Sequence, residues 1–119
     1  MDNQKLNILK YRGKDSTVFT GRPEGRQARE DLKLDEKDSD KNTYSVIIPK
    51  NTTASNSSFF LGLFFDSIKA LNSIEKFYEK YNFVIEEEDK EWVAILQRNL
   101  AECKRKAINE FNRSTGIDF

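Results

Sequence analysis

The sequence predicts an α/β domain: a small mixed β-sheet with helices packed on it. Three observations carry this. Tyr44-Ser45-Val46-Ile47-Ile48-Pro49 is a short β-branched run closed by proline. Such a run reads as a central strand covered on both faces. A polar loop follows, and then Phe59-Phe60-Leu61-Gly62-Leu63-Phe64-Phe65, apolar on nearly every side of a helix. Strand-like and helix-like patterns then alternate to the end of the chain, which argues for helices layered on a sheet.

Taken in order, Lys5 to Tyr11 has strand composition, and Ser16 to Phe19 adds a second short strand after a turn at Gly13-Lys14-Asp15. Thr20-Gly21-Arg22-Pro23-Glu24 starts a helix, with proline near its first position and acid in its first turn. Ala28 and Leu32 lie four apart and face the core, while Arg22, Arg26 and Arg29 share another side. Asp35 to Asn42 has six charged residues in eight and no apolar one, which reads as a loop.

After the Tyr44 to Pro49 strand, Asn56 or Ser57 is suited to cap the next helix, which runs to Leu71. Gly62 costs it about 1 kcal/mol of helix propensity and allows close backbone approach. Asn72-Ser73 breaks the pattern, and Ile74, Phe77, Tyr78 and Tyr81 mark one face of a second, short helix. Asn82 to Glu86 is a further strand. Glu88-Asp89 opens the last helix, whose apolar side is Trp92, Val93, Leu96, Leu100, Cys103, Ala107 and Phe111, with a stop near Gly116. There is no internal repeat.

A chain of 119 residues is expected to form one domain, 1–119. Twenty basic and twenty acidic residues give a net charge of zero, which argues against a nucleic-acid coat and against a polybasic membrane binder. The charge is uneven, at +4 over residues 1–29 and −4 over residues 86–91. The first residues lack an apolar signal core, no run reaches membrane-spanning length, and Cys103 is the single cysteine. A cytoplasmic location is expected. The sequence has no histidine, so it lacks the commonest general base and the commonest metal ligand. No catalytic residue, metal site or cofactor is expected.

Three places remain as candidate sites. Ser57 and Ser58, with Asn56, bring hydroxyls to a strand-to-helix junction where backbone donors are free. They serve either as a simple cap or as a partner-binding and phospho-acceptor site. Arg22, Arg26 and Arg29 form either an anion clamp or a solvated helix face, with an Arg26–Glu30 pair contributing about 0.3 kcal/mol. Glu86-Glu87-Glu88-Asp89 reads as a solvated turn rather than a cation site. Phe59, Phe60, Phe64, Phe65, Phe77, Tyr78 and Tyr81 are more large apolar residues than one small sheet face needs. They are core first and interface second.

Three segments together resemble the STAS-like family, small bacterial domains related to anti-sigma-factor antagonists. Phe19-Thr20-Gly21-Arg22-Pro23-Glu24-Gly25-Arg26-Gln27-Ala28-Arg29-Glu30 is similar to the family's glycine-containing turn and following helix. Asn56-Ser57-Ser58-Phe59-Phe60-Leu61-Gly62-Leu63-Phe64 is similar to its Ser-Ser-Phe-Leu segment after the central strand. Phe83-Val84-Ile85-Glu86-Glu87-Glu88-Asp89 leads, as in the family, into a terminal helix. The resemblance covers residues 16–108. It implies a non-enzymatic regulator that binds another protein, an ATPase-type kinase or a signalling regulator, with serine phosphorylation as the switch and a bacterial source; a phage source belongs to the second of the alternatives below. Asn56 stands where the family's loop has Asp, and Phe59 where it has Gly.

Two alternatives stand beside this reading: a small phosphate- or nucleotide-binding domain, and a phage or mobile-element inhibitor of a bacterial defence protein. Neither requires nucleic acid or a membrane as partner, and a homo-oligomer is compatible with each.

Overall fold

The computed structural model describes residues 3–12 and 15–114. The turn expected at Gly13-Lys14 and the stop at Gly116 lie outside the described residues. In chain order the elements are β1 (Asn3–Asn7), β2 (Val18–Phe19), α1 (Arg22–Asp31), α2 (Leu34–Ser39), β3 (Thr43–Ile48), β4 (Ala54–Ser55), α3 (Ser57–Leu71), α4 (Ile74–Lys80), β5 (Tyr81–Ile85) and α5 (Lys90–Ser114). A 3-10 turn follows β1 at Leu9–Tyr11.

The strands form two ladders, β1-β3-β5 and β2-β4. Every pairing in them is parallel, so the expected mixed sheet is corrected to parallel sheets. Each ladder partner is reached through a helical crossover, which is the connection that parallel strands need. The first strand ends earlier than its composition suggests. Asn7 Oδ1 accepts the Leu9 N–H at 3.1 Å, and this local bond turns the chain into the 3-10 turn.

α3 lies at the centre of the helical layer. Phe59 to Phe65 are all buried, together with Ser67 and Ile68, so the apolar run is core. Phe64 sits 5.2–5.5 Å, ring centre to ring centre, from Phe60, Phe77, Tyr81 and Phe83. α1 lies directly on α3. A Cβ built on Gly62 would stand 2.3 Å from the Arg22 carbonyl oxygen, and one on Gly25 would stand 2.3 Å from that of Phe59. The two glycines bring the backbones together where no methyl fits.

The charged stretch after α1 forms the short helix α2 instead of a loop. Leu34 and Asp38 turn inward from it and are buried. Asp38 can do so because Arg29 meets it inside.

β3 is the central strand, and all of it beyond Thr43 is buried. It is buried on both faces, as expected of a central strand, whereas its two neighbours are each exposed on one face. Tyr44, Val46 and Ile48 join Leu6 and Tyr81 in the core beneath the helices. On the other face Lys5, Asn7, Asn82 and Val84 are exposed, while Ser45 and Ile47 between them are buried. A hydrogen-bonded polar row crosses that face. Asn3 donates to Thr43 Oγ1 at 3.0 Å, Ser45 to Asn3 Oδ1 at 2.9 Å, and Asn82 to Ser45 Oγ at 3.3 Å.

Candidate functional site

In parallel α/β folds ligands and partners meet the protein beyond the carboxyl ends of the strands. Here that end holds the segment from Lys50 to Ser58, which leaves β3 and enters α3. Its backbone is fixed by side chains from distant parts of the chain. Arg12 Nη1 donates to the Lys50 carbonyl at 2.9 Å and to Thr52 Oγ1 at 2.7 Å. Trp92 Nε1 donates to the Thr52 carbonyl at 2.6 Å. Asn99 binds both sides of Ser55, accepting its N–H at 2.8 Å and donating to its carbonyl at 3.0 Å. β2 and the residue before it supply the rest, through Thr53 N–H to Thr17 O and Asn56 N–H to Phe19 O, both 2.7 Å.

On this rigid support Asn56 Oδ1 accepts the Ser58 N–H at 2.7 Å and caps α3. Of the two residues suited to the cap, the asparagine takes the role. Both serine hydroxyls are left without a hydrogen bond among the described residues. Ser58 is exposed and Ser57 half-buried. Further back along the segment, at Thr53, one concavity is lined by Thr53, Trp92 and Ile95, together with Asp89 and Glu91. Ile95 is 53% exposed, the most exposed large apolar residue described.

The three arginines do not converge. Arg22 donates to Glu110 Oε1 at 3.0 Å, tying the start of α1 to α5. Arg26 is exposed. Arg29 lies about 10 Å further along the helix than Arg22 and turns into the protein, only 7% exposed. It does not share the solvated face that its spacing suggests.

Arg29 instead organises the opposite end of the molecule. Its guanidinium donates to Asp38 at 2.6 Å, to Asp35 at 2.7 Å, to Ser67 Oγ at 2.7 Å and to the Leu63 carbonyl at 3.1 Å. Tyr81 donates to the other Asp38 oxygen at 2.5 Å. Burial raises the Tyr81 phenol pKa, and its bond to the Asp38 carboxylate raises it further. Next to it, Lys80 Nζ donates to Asp40 Oδ1 at 2.9 Å and to the carbonyls of Asp40 and Asn42 at 2.8 Å, and Tyr44 donates to Asp40 Oδ2. All of this closes the amino ends of β3 and β5. Reading the sequence did not find this network. Its only trace is Asp35 and Asp38, three apart, shortly after Arg29.

The remaining candidates are satisfied locally. Asp89 Oδ1 caps α5 through the Trp92 N–H at 3.0 Å. Glu87 accepts N–H groups of its own turn, and Glu88 pairs with Lys50 at 3.5 Å. Among the described residues no three acidic or cysteine side chains gather as a metal site. Cys103 is buried, and desolvation pushes its thiol pKa up to about 11. It is therefore protonated at neutral pH, with Sγ 3.4 Å from the Ser55 carbonyl. Among the described residues no helix is long and apolar enough to cross a membrane.

No family model matches the chain, and neither the curated proteins nor the solved structures contain a match.

Proposed function

We propose that this protein is a non-enzymatic, cytoplasmic regulator that acts by binding another protein. The contact surface in this reading is the Lys50 to Ser58 segment together with the first two turns of α5. One observation carries it. The segment is held by Arg12, Trp92 and Asn99, so its shape is set before any partner arrives, and rigid surfaces bind with less ordering cost. The groups it presents suit recognition: free hydroxyls at Ser57 and Ser58, and an apolar depression at Trp92 and Ile95. Buried aromatic and aliphatic anchors supply most of the energy at protein interfaces.

The STAS-like resemblance adds a switch. A phosphate on Ser58 would sit at the N-terminus of α3, where backbone donors and the helix dipole favour it. The partner implied is an ATPase-type protein kinase or a signalling regulator. The test is incubation with the ATPase-type kinases of the same genome and ATP, read by intact mass. One added phosphate is expected, absent from a Ser57→Ala, Ser58→Ala double variant. Phosphate elsewhere on the chain, or on none of its residues, contradicts the switch. Retention of partner binding by Ile95→Glu contradicts the surface.

The small-anion alternative is less well supported, because Arg22 and Arg29 already serve carboxylates of the chain itself. A thermal shift with phosphate or a nucleotide would revive it.

A further inference from the structure

We propose that β5 is a dimerisation edge: two copies of this chain pair antiparallel through it, about a two-fold axis at Val84. This surface is separate from the one proposed above and stands independently of it.

The backbone of β5 sets the geometry. The Glu86 N–H donates to the Ile48 carbonyl at 2.9 Å. In a parallel ladder the N–H and C=O of one residue point the same way, and successive residues alternate. Asn82 and Val84 therefore face β3, while Phe83 and Ile85 turn their N–H and C=O outward. Among the described residues those four groups have no hydrogen-bond partner. The Tyr81 N–H is already used, by the Phe77 carbonyl.

Proteins protect such edges with lysine, proline, bulges or very short strands. β1, the other edge of this sheet, carries Lys5 among polar neighbours. β5 reads Tyr-Asn-Phe-Val-Ile and has no such device. It is apolar on both sides as well. Toward the helices, a groove of about 300 Å³ beside the edge is lined by Phe60, Tyr78, Phe83 and Leu100 together with the polar Asn82, Gln97 and Lys104. On the open face of the sheet Val84 is 39% exposed.

Charge selects the occupant and its direction. Lys104 lies 4.9 Å from the centre of the Tyr78 ring and forms no ion pair among the described residues. At the far end of the strand stand Glu86, Glu87 and Glu88, and Glu86 likewise forms no ion pair among them. A second copy laid parallel would bring acid to acid. Laid antiparallel, it brings the acidic turn of each copy to the Lys104 end of the other. Centred on Val84, that register pairs Phe83 of each copy with Ile85 of the other, which satisfies all four free groups on each side. It sets Asn82 opposite the second copy's Glu86 and places the second copy's Ile85 beside Phe83 and the groove. The two three-stranded sheets become one continuous sheet. Such an interface is isologous and closes at two copies. A chain of zero net charge adds no long-range repulsion to oppose it.

The register makes the proposal testable at one residue. Val84 faces Val84 of the second copy in a non-hydrogen-bonded pair, with Cα atoms about 4.5 Å apart. That lies within the roughly 4.4–6.8 Å range that a disulfide spans. In a Cys103→Ala background, Val84→Cys is expected to form an interchain disulfide on mild oxidation. Asn82→Cys and Glu86→Cys, each two residues off the axis, are expected to stay reduced under the same conditions. Sedimentation equilibrium of the parent is expected to show a monomer–dimer equilibrium, and Val84→Lys to remain monomeric over the same concentration range with an unchanged circular dichroism spectrum. A parent that is monomeric up to millimolar concentration overturns the proposal, whatever other partner takes the edge. So does a dimer that Val84→Lys leaves intact, or one in which the Asn82→Cys variant links as readily as the Val84→Cys variant.

Discussion

The two ends of the β3 strand are both polar, and they use their polar groups in opposite ways. At the amino end Arg29, Asp38, Tyr81, Ser67, Lys80, Asp40 and Tyr44 spend their hydrogen bonds on one another and on nearby carbonyls. Each of these side chains already has a partner within the chain. At the carboxyl end Arg12, Trp92 and Asn99 spend theirs chiefly on the backbone of residues 50–55, and the hydroxyls of Ser57 and Ser58 have no hydrogen bond among the described residues. A closed network makes a stable joint between α1, α2, α3 and β5. A braced loop with free hydroxyls makes a presented surface. On the reading proposed above, the first end serves structure and the second recognition, although by composition the first is the more highly charged.

The largest effect expected is at the closed end. Arg29→Ala leaves Asp38 buried without its cation and is predicted to cost about 3–5 kcal/mol, measured by urea unfolding. Asp38→Ala in the same background is predicted to add much less than it costs alone, because the two groups act as a pair. Additive costs would show that the network is a set of independent contacts, and the contrast between the ends would weaken.

Asn99→Ala sharpens the other side of the comparison. It removes both hydrogen bonds to Ser55 and is predicted to cost about 1–3 kcal/mol. It should also speed hydrogen exchange through residues 52–56 while leaving the amino end protected. Equal acceleration at both ends would mean that the loop is not braced separately.

Acid separates the ends in a third way. Burial opposes ionisation of Asp40, but the Tyr44 hydroxyl, Lys80 and the Asn42 N–H together outweigh it, and its pKa lies below the ordinary aspartate value. A folded pKa that is depressed gives stability that is fully present above the unfolded value, about 3.9. That stability is lost as pH falls through the lower, folded value. Asp40→Asn is therefore predicted to narrow the stability difference between pH 7 and pH 3, in paired urea titrations. The tip of the loop, built from hydroxyls and amides, should contribute no such dependence.

The smallest effect is at the tip. Ser58→Ala is predicted to change stability by less than about 0.5 kcal/mol, because Asn56 and not Ser58 caps α3. A cost near 1 kcal/mol, typical of a lost cap, would move Ser58 from the presented surface into the frame.

What the sequence made legible follows the range of the interactions involved. The Val46-Ile47-Ile48 strand, the buried α3, the close approach at Gly62 and the Asn56 cap are written in neighbouring residues, and all are found. Strand direction depends on which strands pair, and no local pattern states it. β4 is two residues long and carries no periodic signal. α2 was hidden because Asp38 counts as a surface residue until Arg29 is known to be inside. Arg29 was misplaced for the same reason: spacing on α1 puts it beside Arg22, and only Asp35 and Asp38 explain its burial. At the candidate site Asn56, Ser57 and Ser58 were visible as a group. Arg12, Trp92, Ile95 and Asn99 were not, since they reach the loop from about 40 residues away in sequence.

The contrast between the two ends is tested most directly by photocrosslinking in the native host. A photoreactive amino acid is placed at Ser58 in one variant and at Glu36, an exposed position on α2 at the closed end, in another. A discrete protein adduct is expected from the Ser58 position, abolished by Ile95→Glu, and none from Glu36. An adduct from Glu36 with none from Ser58 would contradict the contrast.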